Sequence, residues 1–484
     1  MTHNIYRLSA AAALVAIAQA SNAIPPPPPP SAAQVAESDT IAFEITEQLT
    51  REIGARQGGT AAEQKARDWA MKKLTSMGFA NVREESFMMP TWVRGEETAW
   101  IVSPVKIYLS VTALGNSAST GATPLTGEIA YFRTFDELTV ATDSQVKGKI
   151  VFVDHDMTRT QDGSSYGYFG RARFQGPNVA AKKGATAIIV RSAGTADHDH
   201  PHTGNTNFDA GVNPIPSAAI SNVDADKFVA EYWKAWKINN PPKKKSVNNQ
   251  LSHYPTPTIV QLKLTPNNLG PQKSGNIIAE VIGSKPELPP ILIACHLDSW
   301  DLATGAIDDA SGCGIITAAA QHIKNNTPPK RTIRILWAGA EEVGIWGGKA
   351  YGEKYGSQPH ALAMESDFGA DRVWAVDFNL PDSAKALQDR ITSRLALLGI
   401  VPRKDKAGGG ADIGPIIAKQ GLGIIDLQQD GTRYFDIHHN ATDTIAIIDK
   451  VQMRQNVVAW TTVLEEVTNY EGELKPEPKS EMKP

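Results

Sequence analysis

Five short polar segments in the C-terminal half carry histidines and carboxylates at or just past apolar runs. Together they are the residue types that hold divalent metal ions and move a proton. His296 and Asp298 follow ILIAC in the segment HLDSWD. An imidazole there can ligate through one ring nitrogen while a carboxylate fixes the other; alone, the pair equally suits a satisfied structural histidine. Asp308 and Asp309 in GAIDDASG precede a helix expected from Ser311. Buried paired carboxylates are costly without a compensating cation, and one aspartate can offer an oxygen to each of two ions. Helix capping by Asp309 or Ser311 is the alternative, and both readings hold if Asp308 binds metal while its neighbour caps. Glu341 and Glu342 follow RILWAGA. One can ligate while the other accepts a proton from water; an acidic pair in a first helical turn is the plainer reading. Glu365 and Asp367 lie in MESD, and His438, His439 and Asp443 in HHNATDT. Mixed nitrogen and carboxylate ligands suit zinc and, less specifically, other first-row divalent ions. A cysteine cluster and HExxH are both absent, which disfavours a closed thiolate site and a helix-borne one.

These segments need a scaffold that brings strand ends together. Strand-like runs at 276–282, 290–296, 332–339 and 361–366 alternate with helical stretches at 311–325, 345–355, 382–398 and 450–470. That alternation predicts an α/β fold, a mixed central sheet flanked by helices, with ligands beyond the carboxyl ends of its strands. Helices are also expected over 40–53 and 60–78, and a strand over 80–89. Between 120 and 258 the texture changes to short β runs, GEIAYF, KIVFVDH, ATAIIV, AAISN and IVQLKL, separated by Gly, Asp, Ser and Asn turns. This reads as an inserted mixed α/β domain, with continuation of the main sheet as the alternative. The expected organisation is a leader (1–23), a Pro-rich linker (24–39), a first part of the main domain (40–119), the insertion (120–258), the part of the main domain that carries the polar segments (259–470) and a polar, frayed tail (471–484).

Composition narrows the function classes. The 484 residues are 41% hydrophobic and 21% charged, with a formal charge of -4. This is globular, and the mild charge gives no reason to expect nucleic acid or an anionic membrane as partner. Arg7, the apolar run 9–18 and Ser21-Asn22-Ala23 form a secretory signal pattern. No later run has membrane-spanning length, so the expected location is secreted or periplasmic. Pro25 to Pro30 make an extended spacer. Cys295 and Cys313 read as two buried thiols, a single bridge being the alternative.

The ordered segments HLDSWD, GAIDDASG, AEEVG, MESD and HHNATDT resemble the site motifs of the M28 family of metallopeptidases, particularly its carboxypeptidase Q-like branch. WVRGEE near residue 92 is similar to a segment of that branch, and 120–258 corresponds to a protease-associated domain. The resemblance covers most of residues 40–470. It implies a zinc exopeptidase-like fold, a hydrolase of small peptides or dipeptides, two Zn2+ ions and a homodimer. By the same resemblance His296, Asp308 and Asp367 hold one ion, and Asp308, Glu342 and His439 the other. Glu341 is then the general base, Asp298 orients His296, and Asp443 stands behind His439. Some branches have tyrosine where this chain has His438, which leaves His438 or Tyr434 as oxyanion donor. The AGGGADIGP loop resembles the substrate-pocket region, with Ala411 in place of the usual Ser or Thr and Asp412 free to orient site groups or cap a helix.

The expected reaction removes N-terminal residues from peptides or dipeptides. The alternatives are a carboxypeptidase on the same fold, a non-catalytic peptide-binding or receptor-like protein, or an acyl-transfer enzyme. A carboxypeptidase needs a cation for the terminal carboxylate, for which Arg94, Arg403 and Arg433 are candidates. His198, His200 and His202 alternate in the insertion; they read as a solvent loop, with metal binding the alternative.

Overall fold

A computed structural model describes residues 30–239 and 257–477. The leader, Pro25 to Pro29, the lysine run 243–245 and the last seven residues lie outside that range. Among the described residues the chain builds two eight-stranded sheets. In the first, the strands follow the order Ala80–Val93, Asn267–Val281, Ile333–Ala338, Ile291–His296, Leu362–Glu365, Gly423–Gln429, Val373–Asn379 and Val401–Pro402. Ile291–His296 runs parallel to both of its neighbours, pairing His296 with Ala338 on one side and Ala294 with Glu365 on the other. Three strand ends carrying polar segments therefore emerge along one edge.

The parallel strands are buried throughout because helices cover both faces. Alternate residues feed opposite cores: Ile293, Ile335 and Trp337 face one, Leu292, Ala294 and Leu336 the other. Each fully buried aliphatic side chain contributes roughly 1.5–3 kcal/mol. The central helix Ser311–Asn326 packs on Ile41–Gln48 and on Lys450–Asn469. Gly314 permits the first contact, since a Cβ there would lie 2.4 Å from the Ala42 carbonyl oxygen.

The second sheet takes the order Ile107–Leu109, Glu97–Ser103, Ile259–Leu264, Leu125–Phe132, Ile150–Val153, Ala187–Arg191, Ser217–Ile220 and Val111–Ala113. It is separate from the first, as the insertion reading expects. It is also wider than 120–258. Glu97–Ser103 and Ile259–Leu264 pair with each other as its entry and exit strands, a long-range register that local composition does not reveal.

Three expectations are corrected. Residues 32–36, placed in the linker, form a helix opened by a Ser31–Gln34 capping box. Its small Ala32 and Ala36 side chains are buried in the main core. The tail is not frayed over 471–475: Glu471 pairs with Lys330 at 2.6 Å and Leu474 is buried. Cys295 and Cys313 are not free thiols but form a disulfide, because the strand end and the first turn of the following helix bring their Cα atoms to 5.1 Å.

Candidate metal centre and active site

The five proposed ligands, separated by as many as 143 positions between His296 and His439, converge at the strand ends. His296 closes its strand, and its Nε2 lies 3.0 Å from Asp308 Oδ1 and 3.3 Å from Asp367 Oδ1. His439 Nε2 lies 3.2 Å from Asp308 Oδ2 and 2.9 Å from Glu342 Oε2. Asp308 thus presents one oxygen to each histidine. The turn Ala306–Ala310 that carries it has a cis Asp308–Asp309 peptide bond. The Asp309 carboxylate accepts the His296 and Gly312 amide N–H groups, each at 3.1 Å. Asp309 therefore ties strand to helix while Asp308 faces the cleft. Gly312 makes room for this, since a Cβ would sit 2.2 Å from Asp309 Oδ1.

Around the ligands stand the other expected residues. Asp298 Oδ1 is 3.6 Å from His296 Nδ1 and accepts the Glu341 amide at 2.9 Å, so it braces both the histidine and the Glu341 backbone. Glu341 and Glu342 both line a cleft of about 440 Å3 with Asp308, Asp367, His438 and His439. His438 stacks on His439 at 3.5 Å between ring centres, and its Nδ1 has no hydrogen-bond partner among the described residues. Tyr434 lines the same cleft. Glu365 accepts the Ile413 amide at 2.9 Å, and Gly410 leaves space for its carboxylate. Asp412 is buried with neither oxygen meeting a donor. Asp443 departs from expectation: it accepts Ala306 and Ile307 amides at 2.8 and 2.7 Å, bracing the Asp308 turn rather than His439.

The electrostatics show what the donors require. Burial pushes the Glu341 carboxyl well above its usual range, and burial with the Asp308 charge pushes Glu342 up to about 7. Burial also raises Asp367, against the pull of His296. Burial would raise Asp308 too, but hydrogen bonds from His296 and His439 hold it well below the carboxylate range. Burial alone would lower His439; Glu342 and Asp308 overcome it and carry the group up to about 9. Protons are thus drawn to the pocket to offset buried negative charge. Among the described residues Glu342 Oε1 meets no hydrogen-bond donor, and Asp308 Oδ2 and Asp367 Oδ1 face ligand imidazoles at 3.2 and 3.3 Å without well-aligned hydrogen bonds. Unsatisfied buried oxygens are expensive, and divalent cations held by these oxygens and two imidazoles satisfy them. The clusters His296–Asp308–Glu342 and Asp308–His438–His439 each bring their ligand atoms within 4.8 Å. The donor set fits a shared dinuclear zinc site.

Sequence reasoning missed Arg56. Its buried guanidinium donates to Leu297, Thr304 and Gly305 carbonyls at 2.5, 2.6 and 3.0 Å, a fixed positive charge beneath the acidic cluster. The only cue was an arginine in the glycine-rich loop GARQGGT. Arg173, from the inserted domain, was also missed and lines the cleft. The arginines considered from sequence are engaged elsewhere: Arg94 with Asp301 and Glu97, Arg403 with Asp377, and Arg433 with Asp371. The alternating histidines form no metal cluster among the described residues.

A strand-end centre of this kind, in a cleft between two α/β units, defines a metal-dependent peptidase. The Peptidase family M28 model matches residues 276–463, and the PA domain model matches 111–228. The chain is 31% identical to Carboxypeptidase Q of Bos taurus over 429 residues, covering 88% of this chain and 85% of that protein. It is 30% identical to the Homo sapiens protein of the same name over 429 residues, at the same coverage. Its fold matches the peptidase M28 precursor of Shewanella amazonensis SB2B with a TM-score of 0.84 and 38% identity, over 93% of this chain and 98% of that one. BSAP, a zinc aminopeptidase from Bacillus subtilis, shares the fold at a TM-score of 0.60 and 19% identity, over 91% and 98% of the two chains. The chain belongs to peptidase family M28 and is a zinc-dependent exopeptidase acting on peptides. No helix among the described residues is long and apolar enough to cross a membrane.

Proposed function

We propose that this exopeptidase recognises the free carboxylate end of a short peptide and cleaves beside it. The observation that carries this reading is Arg173. Its side chain is buried and borders the cleft beside His439, yet no carboxylate among the described residues pairs with it. It donates to the Thr203 carbonyl at 3.1 Å and to the Tyr166 hydroxyl and its Nη1 lies 3.3 Å from His439 Nδ1, while its Nε has no hydrogen-bond partner among the described residues. A desolvated guanidinium without a counter-ion suits a planar carboxylate from substrate. The name Carboxypeptidase Q carried by the relatives points the same way.

The expectation of N-terminal cleavage survives as a second reading on a different observation: Asp367 lines the cleft, and the carboxylates of Glu365 and the buried Asp412 interact with it, a concentration of negative charge that suits a substrate amine. Free, N-blocked and C-amidated forms of one short peptide decide between them. Carboxylate recognition predicts that C-amidation abolishes turnover and that Arg173→Ala raises KM for the free peptide more than it lowers kcat. Loss on N-blocking with full turnover of the C-amide would select amine-end cleavage instead. Loss on both would define a dipeptidase.

We assign the roles that the M28 resemblance implies, supported by the convergence of these side chains at the strand ends. His296, Asp308 and Asp367 hold one zinc, and Asp308, Glu342 and His439 the other. Bound zinc supplies Lewis acidity toward the scissile carbonyl and toward water. Glu341, whose side chain has no hydrogen-bond partner among the described residues and which lines the cleft, takes the proton of the attacking water and returns it to the leaving nitrogen. Asp298 fixes His296. His438, whose pKa burial and the neighbouring His439 push well down, is a neutral imidazole able to donate to the developing oxyanion. We place the protein outside the cytoplasm; the leader pattern and the buried disulfide, at home in an oxidising compartment, support that location.

A further inference from the structure

The alternating histidines of the inserted domain, His198, His200 and His202, have no part in the function described so far, and one of them is fully buried. His202 is wedged against the segment that carries the metal ligand His439. Its Nδ1–H donates to the His438 carbonyl at 2.6 Å. With that proton assigned, its Nε2 accepts from Asn440 Nδ2 at 3.2 Å. Its own amide donates to Ser192 Oγ at 2.8 Å, which anchors the loop to the inserted sheet. His202 thus grips the residues on both sides of His439.

Thr203 touches His439 itself. The Thr203 amide donates to the His439 carbonyl at 2.9 Å. In return His439 Nδ1–H donates to the Thr203 carbonyl at 3.2 Å, the same oxygen that accepts Arg173 Nη1 at 3.1 Å. An imidazole that ligates through Nε2 must carry its proton on Nδ1, and a fixed acceptor there sets tautomer and ring plane together. His439 also has φ of 62°. A bulky L-residue in that region is strained and persists only where its surroundings over-determine it. The surroundings that do so belong to the inserted domain: Thr203 and His202 are both 0% exposed, and His198 Nε2 donates to the Asp436 carbonyl at 3.1 Å.

We propose that the inserted domain completes the metal centre: the His202–Thr203 backbone clamp holds His439 so that its Nε2 faces Asp308 and Glu342, and the second zinc binds tightly only while that clamp is docked. His202 is in this account a positioning residue. The proposal rests on the two-zinc reading of the site. It assigns to the insertion a role in building the centre beside the role of Arg173 toward substrate, the two meeting at the Thr203 carbonyl and at His439 Nδ1, which lies 3.3 Å from Arg173 Nη1.

The test counts and titrates zinc in the full-length protein, without reference to turnover. The wild type is expected to hold two zinc ions. His202→Ala removes the grip on the residues flanking His439 and leaves its direct partner Thr203, so it should weaken one of the two ions by about 10-fold, the lower end of the range for losing a partner of a ligand histidine, and leave the other unchanged. His202→Asn, which keeps a donor near the Nδ1 position, should recover most of that affinity. In a His439→Ala background the His202→Ala change should have no further effect on zinc, since the same ion is already lost; in an Asp367→Ala background it should still act. Two tightly held ions in folded His202→Ala overturn the proposal, as does an equal weakening of both. Where His202→Ala fails to fold, Ser192→Ala loosens the same loop more gently and should weaken the same ion several-fold; unchanged zinc binding there overturns the proposal instead. A wild type that holds fewer than two zinc ions removes the two-metal reading itself, and this clamp with it.

Discussion

The two sheets treat buried charge differently. Past the strand ends of the catalytic sheet, the buried and part-buried carboxylates of Asp308, Glu342, Asp367 and Asp412 outnumber the two imidazoles among them, and Glu342 Oε1 and both Asp412 oxygens meet no donor among the described residues. Beneath the inserted sheet the buried Arg191 is paired, with Asp154 at 2.6 Å and Asp226 at 2.8 Å. Paired buried charges complete a fold, whereas unpaired ones of like sign cost several kcal/mol each unless something outside the chain compensates them. The catalytic sheet therefore gathers a donor set that suits cations, and the inserted one mostly does not. Arg173 is the exception within the insertion, and it is the group that borders the cleft.

The contrast is most sharply tested at Glu341. Glu341→Gln should lower kcat by about 10^2- to 10^4-fold while both zinc ions stay bound, as metal counting on the purified variant would show. Near-normal hydrolysis would remove Glu341 as the base and leave the catalytic sheet with metal ligands but no proton acceptor.

A smaller effect concerns how the catalytic sheet holds its ligands. The Cys295–Cys313 bridge joins the residue before His296 to the helix after Asp308. Replacing both cysteines by alanine should cost roughly 3 kcal/mol, the order expected for closing a loop of this length, read by denaturant unfolding. The same treatment should also loosen zinc, because the bridge ties two ligand-bearing segments.

The smallest expected effect lies at the far end of that sheet. His360, just before Leu362–Glu365, donates Nδ1–H to the Gln358 carbonyl at 2.9 Å and accepts the Tyr351 hydroxyl at 2.7 Å. Burial, with Arg334 nearby, pushes its pKa down from 6.5 to about 4. The folded state thus resists a proton that the unfolded state accepts. Stability from this group is complete above pH 6.5 and is lost as pH falls toward 4, by about 2 kcal/mol at pH 5. His360→Gln should flatten that part of the stability–pH curve; an unchanged slope would place the acid sensitivity elsewhere.

Much of the catalytic sheet was legible in the sequence, and little of the inserted domain's contribution was. Parallel strands buried on both faces are written as continuous apolar runs, so ILIACH and RILWAGA announce both their strands and the polar residues at their ends. The strand Gly423–Gln429 and its neighbour Val373–Asn379 have apolar runs interrupted by Asp426 and Asp377 and were not anticipated. Residues that act through backbone groups leave still less trace. Thr203 meets His439 through its amide and carbonyl, which any residue type possesses, and it does so across 236 positions. Arg173 sits in a helical stretch, RARF, where an arginine ordinarily faces solvent. Asp443 was anticipated as a site residue but with the wrong partner, because sequence proximity to His439 does not fix which way a turn aims its carboxylate.

The central claim is that Asp308 is shared by two zinc ions, one held on the strand-end side and one on the side closed by the insertion. Crystals of the zinc-loaded protein, measured across the zinc absorption edge, test it most directly. The account predicts two anomalous peaks about 3.5–4 Å apart flanking Asp308, one against His296 and Asp367 and the other against Glu342 and His439. A single peak, or two peaks that do not share Asp308, would contradict it.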